Sequence, residues 1–192
     1  MDNIKLMIVE DDPVWMKCIS DFVSKDNDIT VVKKVYMKEE ALKVTDLNNI
    51  DVVLLDLTLG DNEEFGGFEV ASHLNKNGLK KIIMLTSWDE TEIITEAFDR
   101  GAVNYVTKSS YRDIPNAIRE AYTGRISLHP DVSSKLICEL KLERKARSLS
   151  PAEREVFILK EKGLTKLEIA KKLFKSIDTI KNQLKNINKK IQ

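Results

Sequence analysis

The chain has 192 residues, of which 42% are hydrophobic and 32% charged, and this composition is typical of a soluble globular protein, not a disordered one. No apolar run approaches the roughly 20 residues of a membrane-spanning helix, and the N-terminal sequence MDNIKLMIVEDD turns acidic where a signal peptide stays apolar. Cys18 and Cys138 lie far apart and are expected to be ordinary buried or linker thiols. Together these features predict a cytoplasmic protein that makes no use of the membrane.

The net charge of zero conceals an uneven distribution along the chain. Residues 1–125 carry 15 Lys/Arg and 23 Asp/Glu, a balance of −8, whereas residues 149–192 carry 11 and 5, a balance of +6. The residues between, 126–148, carry 5 and 3, a balance of +2. A polyanion would be repelled by the first segment and attracted by the last, although many solvated helical faces are equally basic.

Residues 1–125 alternate short apolar runs with longer amphipathic stretches. The runs, rich in Val, Ile and Leu, lie at residues 4–9, 29–35, 51–56, 81–85 and 102–107. Such near-continuous runs indicate strands that are covered on both faces, and therefore a parallel sheet with helical crossovers. The pattern predicts an α/β domain of the (βα)5 type with a five-stranded parallel sheet.

Three helix boundaries in this segment are predicted from capping residues. Asp12 followed by Pro13 is typical of an N-cap with proline at the first helical position, and Ser110 with Asp113 three residues later is typical of an N-cap with an acid at N3. Gly124 is expected to end the last crossover helix.

Residues 126–148 are predicted to form a connector that is mostly helical. Pro130 begins a stretch in which Val132, Leu136 and Leu140 recur at helical spacing among charged residues. Because no Gly/Ser-rich spacer is present, we expect a semi-rigid link.

Residues 149–192 contain no strand pattern and are predicted to form a small all-α domain. Ser150-Pro-Ala-Glu153 and Thr165-Lys-Leu-Glu168 are both capping boxes, the first opening a helix to Lys162 and the second a short helix to about Phe174. Ser176 is expected to cap a third helix that runs to about Lys190. Its apolar face is predicted to hold Ile177, Ile180, Leu184, Ile187 and Ile191. Two helices joined by a tight turn, the second basic, are typical of a helix-turn-helix.

Polar residues follow the apolar runs of the predicted sheet. Glu10-Asp-Asp12 follows the first run, Asp56 ends the third, Thr86 follows the fourth and Lys108 follows the fifth. Ligands of open α/β sheets bind beyond the carboxyl ends of the strands, so these side chains are expected to converge. Clustered carboxylates need a cation, and Mg²⁺ suits a site with few carboxylates. Asp56 could then be a nucleophile towards phosphorus, with Lys108 and Mg²⁺ neutralising the phosphoryl oxygens.

The motifs VEDD, LLDL, MLTS and NYVTK, in this order on the predicted strand ends, resemble the receiver domain of bacterial response regulators. The resemblance implies that Asp56 is the phosphoacceptor and Asp11 a direct Mg²⁺ ligand. It further implies that Glu10 acts through a metal-bound water and that the main-chain carbonyl of Thr58 completes the metal site.

The same resemblance implies roles for residues of the fourth and fifth strands. Thr86 would hydrogen-bond the phosphoryl group, Lys108 would neutralise it, and Tyr105 would swing inward behind Thr86 as the switch aromatic. Asp12 is better assigned to the helix cap than to the metal, and Trp88 is expected to be a packing residue. The loop LTLGDNEEFGG lacks the usual Met-Pro and is longer than the family pattern, so its geometry does not follow from the resemblance.

The last 44 residues resemble the LuxR/NarL/FixJ type of helix-turn-helix, through LSPAEREV, Gly163, LEIAKKLF and SIDTIKNQLKNI in that order. Ala170 would be the small residue that lets the two motif helices approach. Three residues of the recognition helix are expected to read bases: Lys181, Asn182 and Lys185. Four residues are expected to contact backbone phosphates: Lys166, Thr179, Lys189 and Lys190. The alternative for all of them is a solvated lysine face.

This family normally adds a fourth helix after the recognition helix, and the sequence up to Gln192 is expected to lack it. Dimers would then have to form through the receiver or the connector. A monomer would offer one half-site.

The sequence therefore predicts a two-component response regulator in which a sensor histidine kinase phosphorylates Asp56 and thereby controls binding to double-stranded DNA and transcription. It would accept and slowly lose a phosphoryl group without being a turnover enzyme. Phosphate hydrolases of the dehalogenase type carry a second Asp two residues after the nucleophile, where this chain has Thr58. A receiver that works without phosphorylation, or with a protein- or RNA-binding helical output, remains an alternative.

Overall fold

The computed structural model describes residues 3–60, 65–128 and 130–191. The chain divides into two compact units, residues 1–134 and 135–192, and each has its own hydrophobic core. Within the described ranges, no helix is both long and apolar enough to cross a membrane.

Five parallel strands form the sheet of the first unit. They are β1 (Ile4–Val9), β2 (Ile29–Val35), β3 (Val52–Asp56), β4 (Ile82–Thr86) and β5 (Ala102–Thr107), in the order β2-β1-β3-β4-β5. Every strand lies within one residue of its predicted bounds, and all neighbouring pairs are parallel. The predicted fold class is confirmed, because buried apolar runs of this length can pair only inside a sheet that helices cover on both faces.

Helical segments follow each strand of the first unit. They are α1 (Pro13–Val23), α2 (Lys38–Leu42), α3 (Gly66–Lys76), α4 (Thr91–Asp99) and α5 (Ile114–Tyr122), with a short 3-10 segment at Lys108–Asp113 before α5. Asp12 caps α1 as predicted, since its carboxylate accepts hydrogen bonds from the backbone N–H groups of Val14 and Trp15. Gly124 follows the end of α5 with φ at 76°, as a helix-ending glycine does.

The remaining helices are α6 (Pro130–Ala146), α7 (Pro151–Glu161), α8 (Lys166–Lys172) and α9 (Ile177–Ile191). Both predicted capping boxes are present, Ser150 with Glu153 and Thr165 with Glu168. Helix α6 lies within the predicted connector, whose boundaries at residues 125 and 149 stay predictions.

Two aspects of the sequence-based description were wrong in the first unit. Ser110 does not cap α5, because it lies inside the 3-10 segment, where its hydroxyl accepts a hydrogen bond from Thr107 Oγ1. The helix begins at Ile114 with Pro115 in its first turn. Cys18 is exposed and not buried, since the core-facing residues of α1 are Met16, Ile19, Ser20 and Val23 and Cys18 lies on the opposite side. Cys138 of α6 is also exposed.

One residue of the predicted apolar face of α9 was misplaced. Ile180 and Ile187 are buried in the core of the second unit, and Leu184 and Ile191 pack against that core. Ile177 instead is exposed at the first position of the helix, before the apolar stripe turns inward. Part of the loop after Asp56 that departs from the family pattern, residues 61–64, lies outside the described residues.

Candidate functional site

The carboxyl ends of β1, β3, β4 and β5 lie at one edge of the sheet because all the strands are parallel. Glu10 follows β1, Asp56 ends β3, Thr86 ends β4 and Lys108 follows β5. The order β2-β1-β3 places the end of β1 directly beside that of β3, at the point where the chain switches direction in the sheet. The structure therefore gathers the side chains that the sequence predicted to converge.

Three carboxylates form the floor of this site. One oxygen each of Glu10, Asp11 and Asp56 lies within 4.8 Å of the others. Glu10 and Asp56 are buried, with 1% and 4% of their surface exposed, whereas Asp11 is half-buried. The Asp11 carboxylate accepts a hydrogen bond from the backbone N–H of Gly60 at 2.9 Å, so the acidic cluster also holds the loop that follows β3.

Lys108 is the cation of the site. Its Nζ lies 2.9 Å from Asp56 Oδ2 and 2.8 Å from Glu10 Oε2, and 5.2 Å from the ring centroid of Trp15. Burial lowers the pKa of Lys108, but its hydrogen bonds to the two carboxylates outweigh this effect and raise that pKa above its ordinary value. Lys108 is therefore held charged.

One ammonium group does not neutralise three carboxylates. Burial, reinforced by the negative charge of Asp56, raises the pKa of Glu10 to about 7. Burial also raises the pKa of Asp56, although Lys108 and the backbone N–H of Thr58 act in the opposite direction. Oxygen ligands in this number and proximity fit a hard divalent cation, which would add the positive charge that the cluster lacks.

Thr86, Tyr105 and Trp88 form a hydrogen-bonded chain beside the acidic cluster. The Tyr105 hydroxyl donates to the main-chain carbonyl of Trp88 at 2.9 Å, and the Trp88 backbone N–H donates to Thr86 Oγ1 at 3.4 Å. Thr86 and Tyr105 are both fully buried, so the tyrosine ring points inward in this structure. Burial raises the pKa of Tyr105, which keeps its hydroxyl a proton donor.

Trp88 does more than the packing that the sequence predicted. Its indole Nε1 donates to Thr58 Oγ1 at 3.3 Å, and its ring meets Phe65 edge-on with centroids 5.3 Å apart. It thus connects the segments that follow β3 and β4. The sequence signal for this role was the position of Trp88, two residues after Thr86 and therefore beside the predicted pocket.

Gly67 is a second residue that the sequence did not single out. A Cβ atom at this position would lie 2.3 Å from the main-chain oxygen of Asp56 and 2.7 Å from Leu57 Cα. Its N–H donates to the main-chain oxygen of Leu57 at 2.9 Å. The start of α3 can therefore approach the end of β3 only because residue 67 has no side chain.

The second unit brings α8 and α9 together as a helix-turn-helix. Ala170 of α8 is 4% exposed and lies in the same core as Ile180 and Ile187 of α9. The small side chain permits the close approach that the sequence predicted.

The residues predicted to bind DNA lie on the surface of this unit. All seven are exposed: Lys166, Thr179, Lys181, Asn182, Lys185, Lys189 and Lys190. Lys181 and Lys185 are four residues apart and therefore share a face of α9, and Lys181 Nζ lies 3.0 Å from Asp178. Lys190 differs from the others, because its Nζ contacts the Glu153 carboxylate at 2.7 Å and so stabilises the capping box of α7.

Comparison with known proteins matches both units. Residues 6–119 match the family model of the response regulator receiver domain, and residues 147–192 match bacterial regulatory proteins of the luxR family. The response regulator protein VraR of Staphylococcus epidermidis is 30% identical over 192 residues, covering 98% of this chain and 90% of the relative. VraR of Staphylococcus aureus is 30% identical over 193 residues, covering 99% and 91%.

Solved structures with the same architecture include the response regulator RcsB of Salmonella typhimurium. It has a TM-score of 0.69 and 25% identity, covering 100% of this chain and 93% of that one. An RcsB–DNA complex has a TM-score of 0.65 and 27% identity, covering 99% and 92%. A third, the response regulator ChrA of a heme-sensing two-component system, has a TM-score of 0.59 and 27% identity, covering 97% and 89%.

The fold and its acidic pocket define a receiver, and the helical unit defines a regulatory output. The chain belongs to the response regulators that join a receiver domain to a luxR-family DNA-binding domain.

Proposed function

We propose that Asp56 accepts a phosphoryl group from a sensor histidine kinase and that phosphorylation controls DNA binding by the helix-turn-helix. The observation that carries this proposal is the arrangement of Lys108, whose Nζ lies within 3 Å of both Asp56 and Glu10 at the carboxyl edge of the sheet. The protein would accept and slowly lose the phosphoryl group without turning over a substrate, and with a kinase and DNA as partners it would act in the cytoplasm.

The transfer forms one bond and breaks one. An oxygen of the Asp56 carboxylate forms a P–O bond as the P–N bond of the kinase phosphohistidine breaks, and the departing imidazole keeps the electron pair and takes up a proton. Lys108, which touches Asp56 already, balances the charge that gathers on the phosphoryl oxygens. Hydrolysis of the acyl phosphate by water later restores the carboxylate.

Mg²⁺ is the cofactor that the donor set fits. Glu10, Asp11, Asp56 and the main-chain carbonyl of Thr58 would hold it, and its bound form would supply the further positive charge that phosphoryl transfer needs. The proximity of the three carboxylates supports this proposal, and the pKa of Glu10 is raised in this site by burial first and by the charge of Asp56 second.

Thr86 is the proposed sensor of the phosphoryl group. We infer that its hydroxyl turns to the phosphoryl oxygens, which would exchange its contact with the Trp88 N–H for a charge-assisted hydrogen bond. The Tyr105 hydroxyl donates to the main-chain carbonyl of Trp88, so a movement of the segment after β4 would be transmitted to β5. This two-state rearrangement would link Asp56 to the output.

The output contact is assigned to α9. Lys181, Asn182 and Lys185 would read bases in the major groove, while Lys166, Thr179 and Lys189 would contact phosphates. The structure of an RcsB–DNA complex, for a protein of the same architecture, supports DNA as the partner of this chain. Homodimers through the receiver or the connector would pair two such helices.

Phosphorylation is tested with a small-molecule phosphodonor and Mg²⁺ on the full chain and on Asp56→Asn. We expect labelling of the native protein, loss of the label in the variant, and loss of the label when Mg²⁺ is chelated. Asp46→Asn, which changes an exposed carboxylate outside the pocket, is the matched control and should label normally. Persistent labelling of Asp56→Asn would remove Asp56 from its role.

A further inference from the structure

Phe174, in the turn between α8 and α9, has an unusual backbone conformation. Its φ is 53°, and among the described residues it is the one non-glycine with a positive φ. A left-handed conformation is unfavourable for an L-residue with a bulky side chain and common for glycine. A non-glycine residue that keeps such a conformation indicates a position at which the side chain has a function.

The turn that Phe174 occupies is a helix C-cap of the kind that normally ends on glycine. The Phe174 N–H donates to the Lys171 carbonyl at 3.3 Å and the Lys175 N–H to the Ala170 carbonyl at 2.9 Å. The end of α7 has the same two bonds, and there the left-handed residue is Gly163. The two caps are alike in their hydrogen bonds, so the backbone alone does not account for phenylalanine at residue 174.

The Phe174 ring does not stabilise its own unit by burial. The residue is 97% exposed, whereas the residues on either side of it, Leu173 and Lys175, are half-buried. An aromatic ring that is exposed and conformationally costly gains stability only when a partner covers it.

The charge around the ring identifies the chemistry of the partner. Lys171, Lys172 and Lys175 surround Phe174 in sequence, and the cap of α9 follows at Ser176. The N-terminal end of α9 therefore lies next to Phe174, and α9 is the helix that enters the major groove in the proposed function. An acidic polymer that also offers apolar surface fits this combination, and DNA offers the 5-methyl group of thymine at the floor of that groove.

We propose that Phe174 is a DNA-contacting, specificity-determining residue that packs on a thymine 5-methyl group where α9 enters the major groove. This proposal rests on the proposed DNA binding and adds a preference for thymine at one position of the site. The strained backbone places the ring beside the groove, and the surrounding lysines bind the adjacent phosphates.

The test begins with selection of duplexes by the full chain from a randomised DNA library. Binding of the selected duplex is then measured for the native protein, Phe174→Asn and Phe174→Tyr, with each thymine replaced in turn by uracil. Asparagine tolerates the left-handed conformation and lacks the ring, whereas tyrosine keeps the ring. Glu155→Asn is the control, because it introduces the same residue at an exposed position of α7 that has no role in the proposed DNA contact.

We expect Phe174→Asn to bind about tenfold more weakly, with Phe174→Tyr and Glu155→Asn within about twofold of the native protein. One uracil replacement should weaken native binding about fourfold, the value of one buried methyl group, and should leave Phe174→Asn unaffected. Relief of backbone strain should raise the melting temperature of Phe174→Asn by a few degrees.

Three outcomes would overturn the proposal, and they are distinguishable. If the native protein selects no duplex, the proposed DNA binding fails and the Phe174 contact with it. If Phe174→Asn binds as tightly and remains as sensitive to uracil, DNA binding stands and the contact with thymine is wrong. If DNA binding is unchanged while transcription is lost, the ring contacts a protein instead of DNA.

Discussion

Trp88 and Thr58 form a side-chain contact that joins two segments beside the acidic pocket. The indole Nε1 donates to Thr58 Oγ1 at 3.3 Å, and the N–H of Thr58 donates to Asp56 Oδ1, also at 3.3 Å. The backbone N–H of the same tryptophan donates to Thr86 Oγ1. Trp88 therefore contacts Thr58, which follows the phosphoacceptor, through its side chain, and the proposed phosphate-sensing hydroxyl of Thr86 through its backbone.

The Trp88–Thr58 bond can be measured with a double-mutant cycle. Trp88→Phe and Thr58→Val should each lower the free energy of unfolding of the first unit by about 1 kcal/mol, the net value of a neutral hydrogen bond. The double variant should lose little more than either single one, because both substitutions remove the same interaction. Denaturant unfolding followed by circular dichroism gives all four values. Fully additive losses would show that the two side chains are not coupled.

The acidic cluster could be predicted from the sequence because its residues follow the strands directly. Runs of Val, Ile and Leu fix the ends of β1 and β3, and parallel strands then place Glu10 and Asp56 at one edge. The Trp88 contacts could not be predicted in the same way. They join residues 17 and 30 positions apart in the chain, and such pairings depend on the tertiary arrangement of the loops.

At the scale of the helical elements, capping determines where the segments of the second unit begin. Ser150 and Glu153 form a reciprocal capping box at the start of α7, and Lys190 near the end of α9 contacts the same carboxylate at 2.7 Å. Glu153 therefore links the first and last helices of the helix-turn-helix region. The hydrogen bond from Lys190, followed by those from Ser150, lowers the pKa of Glu153 to about 2.

This link predicts a pH-dependent stability. Because the carboxyl pKa is about 2 in the folded unit and 4.5 in the unfolded chain, the unfolded chain binds more protons between these values. The stabilisation is complete above pH 4.5 and is lost as the pH falls towards 2. Glu153→Gln should lower the melting temperature of the second unit by a few degrees near neutral pH, and the difference should vanish near pH 2.

Thermal melts followed by circular dichroism at a series of pH values check this prediction. Glu155→Gln, which changes an exposed carboxylate of the same helix, is the matched control and should follow the native curve. A difference between native protein and Glu153→Gln that persists at the lowest pH would mean that the charge of Glu153 is not its source.

Local capping patterns predicted α1, α7 and α8, since each N-cap side chain bonds its own helix. The same reasoning was wrong at Ser110. There the hydroxyl of Thr107 competes for the serine, and the backbone turns through a 3-10 segment before Pro115 permits a helix. An N-cap is thus predictable where the capping side chain has one partner nearby, and it is less predictable where several hydroxyl groups are clustered.

At the scale of the whole molecule, charge is divided between the two units. The net charge is zero, yet residues 1–125 carry −8 and residues 149–192 carry +6. The predicted DNA contacts all lie in the basic segment, and the acidic pocket lies in the other. Attraction to a polyanion therefore depends on the lysines of the helical unit and is not a property of the net charge.

The division of charge predicts how DNA binding responds to salt. Lys166→Ala and Lys189→Ala together remove the two lysines assigned to phosphates. They should weaken binding to a mixed-sequence duplex and reduce the slope of log K against log salt by about 2, since each phosphate contact contributes about 0.9. Lys160→Ala removes an exposed lysine from α7 and is the matched control, with an unchanged slope expected. Fluorescence anisotropy titrations across a range of salt concentrations provide the slopes. An unchanged slope in the double variant would mean that these exposed lysines form only a solvated face, and their assignment to phosphate contacts would then be wrong.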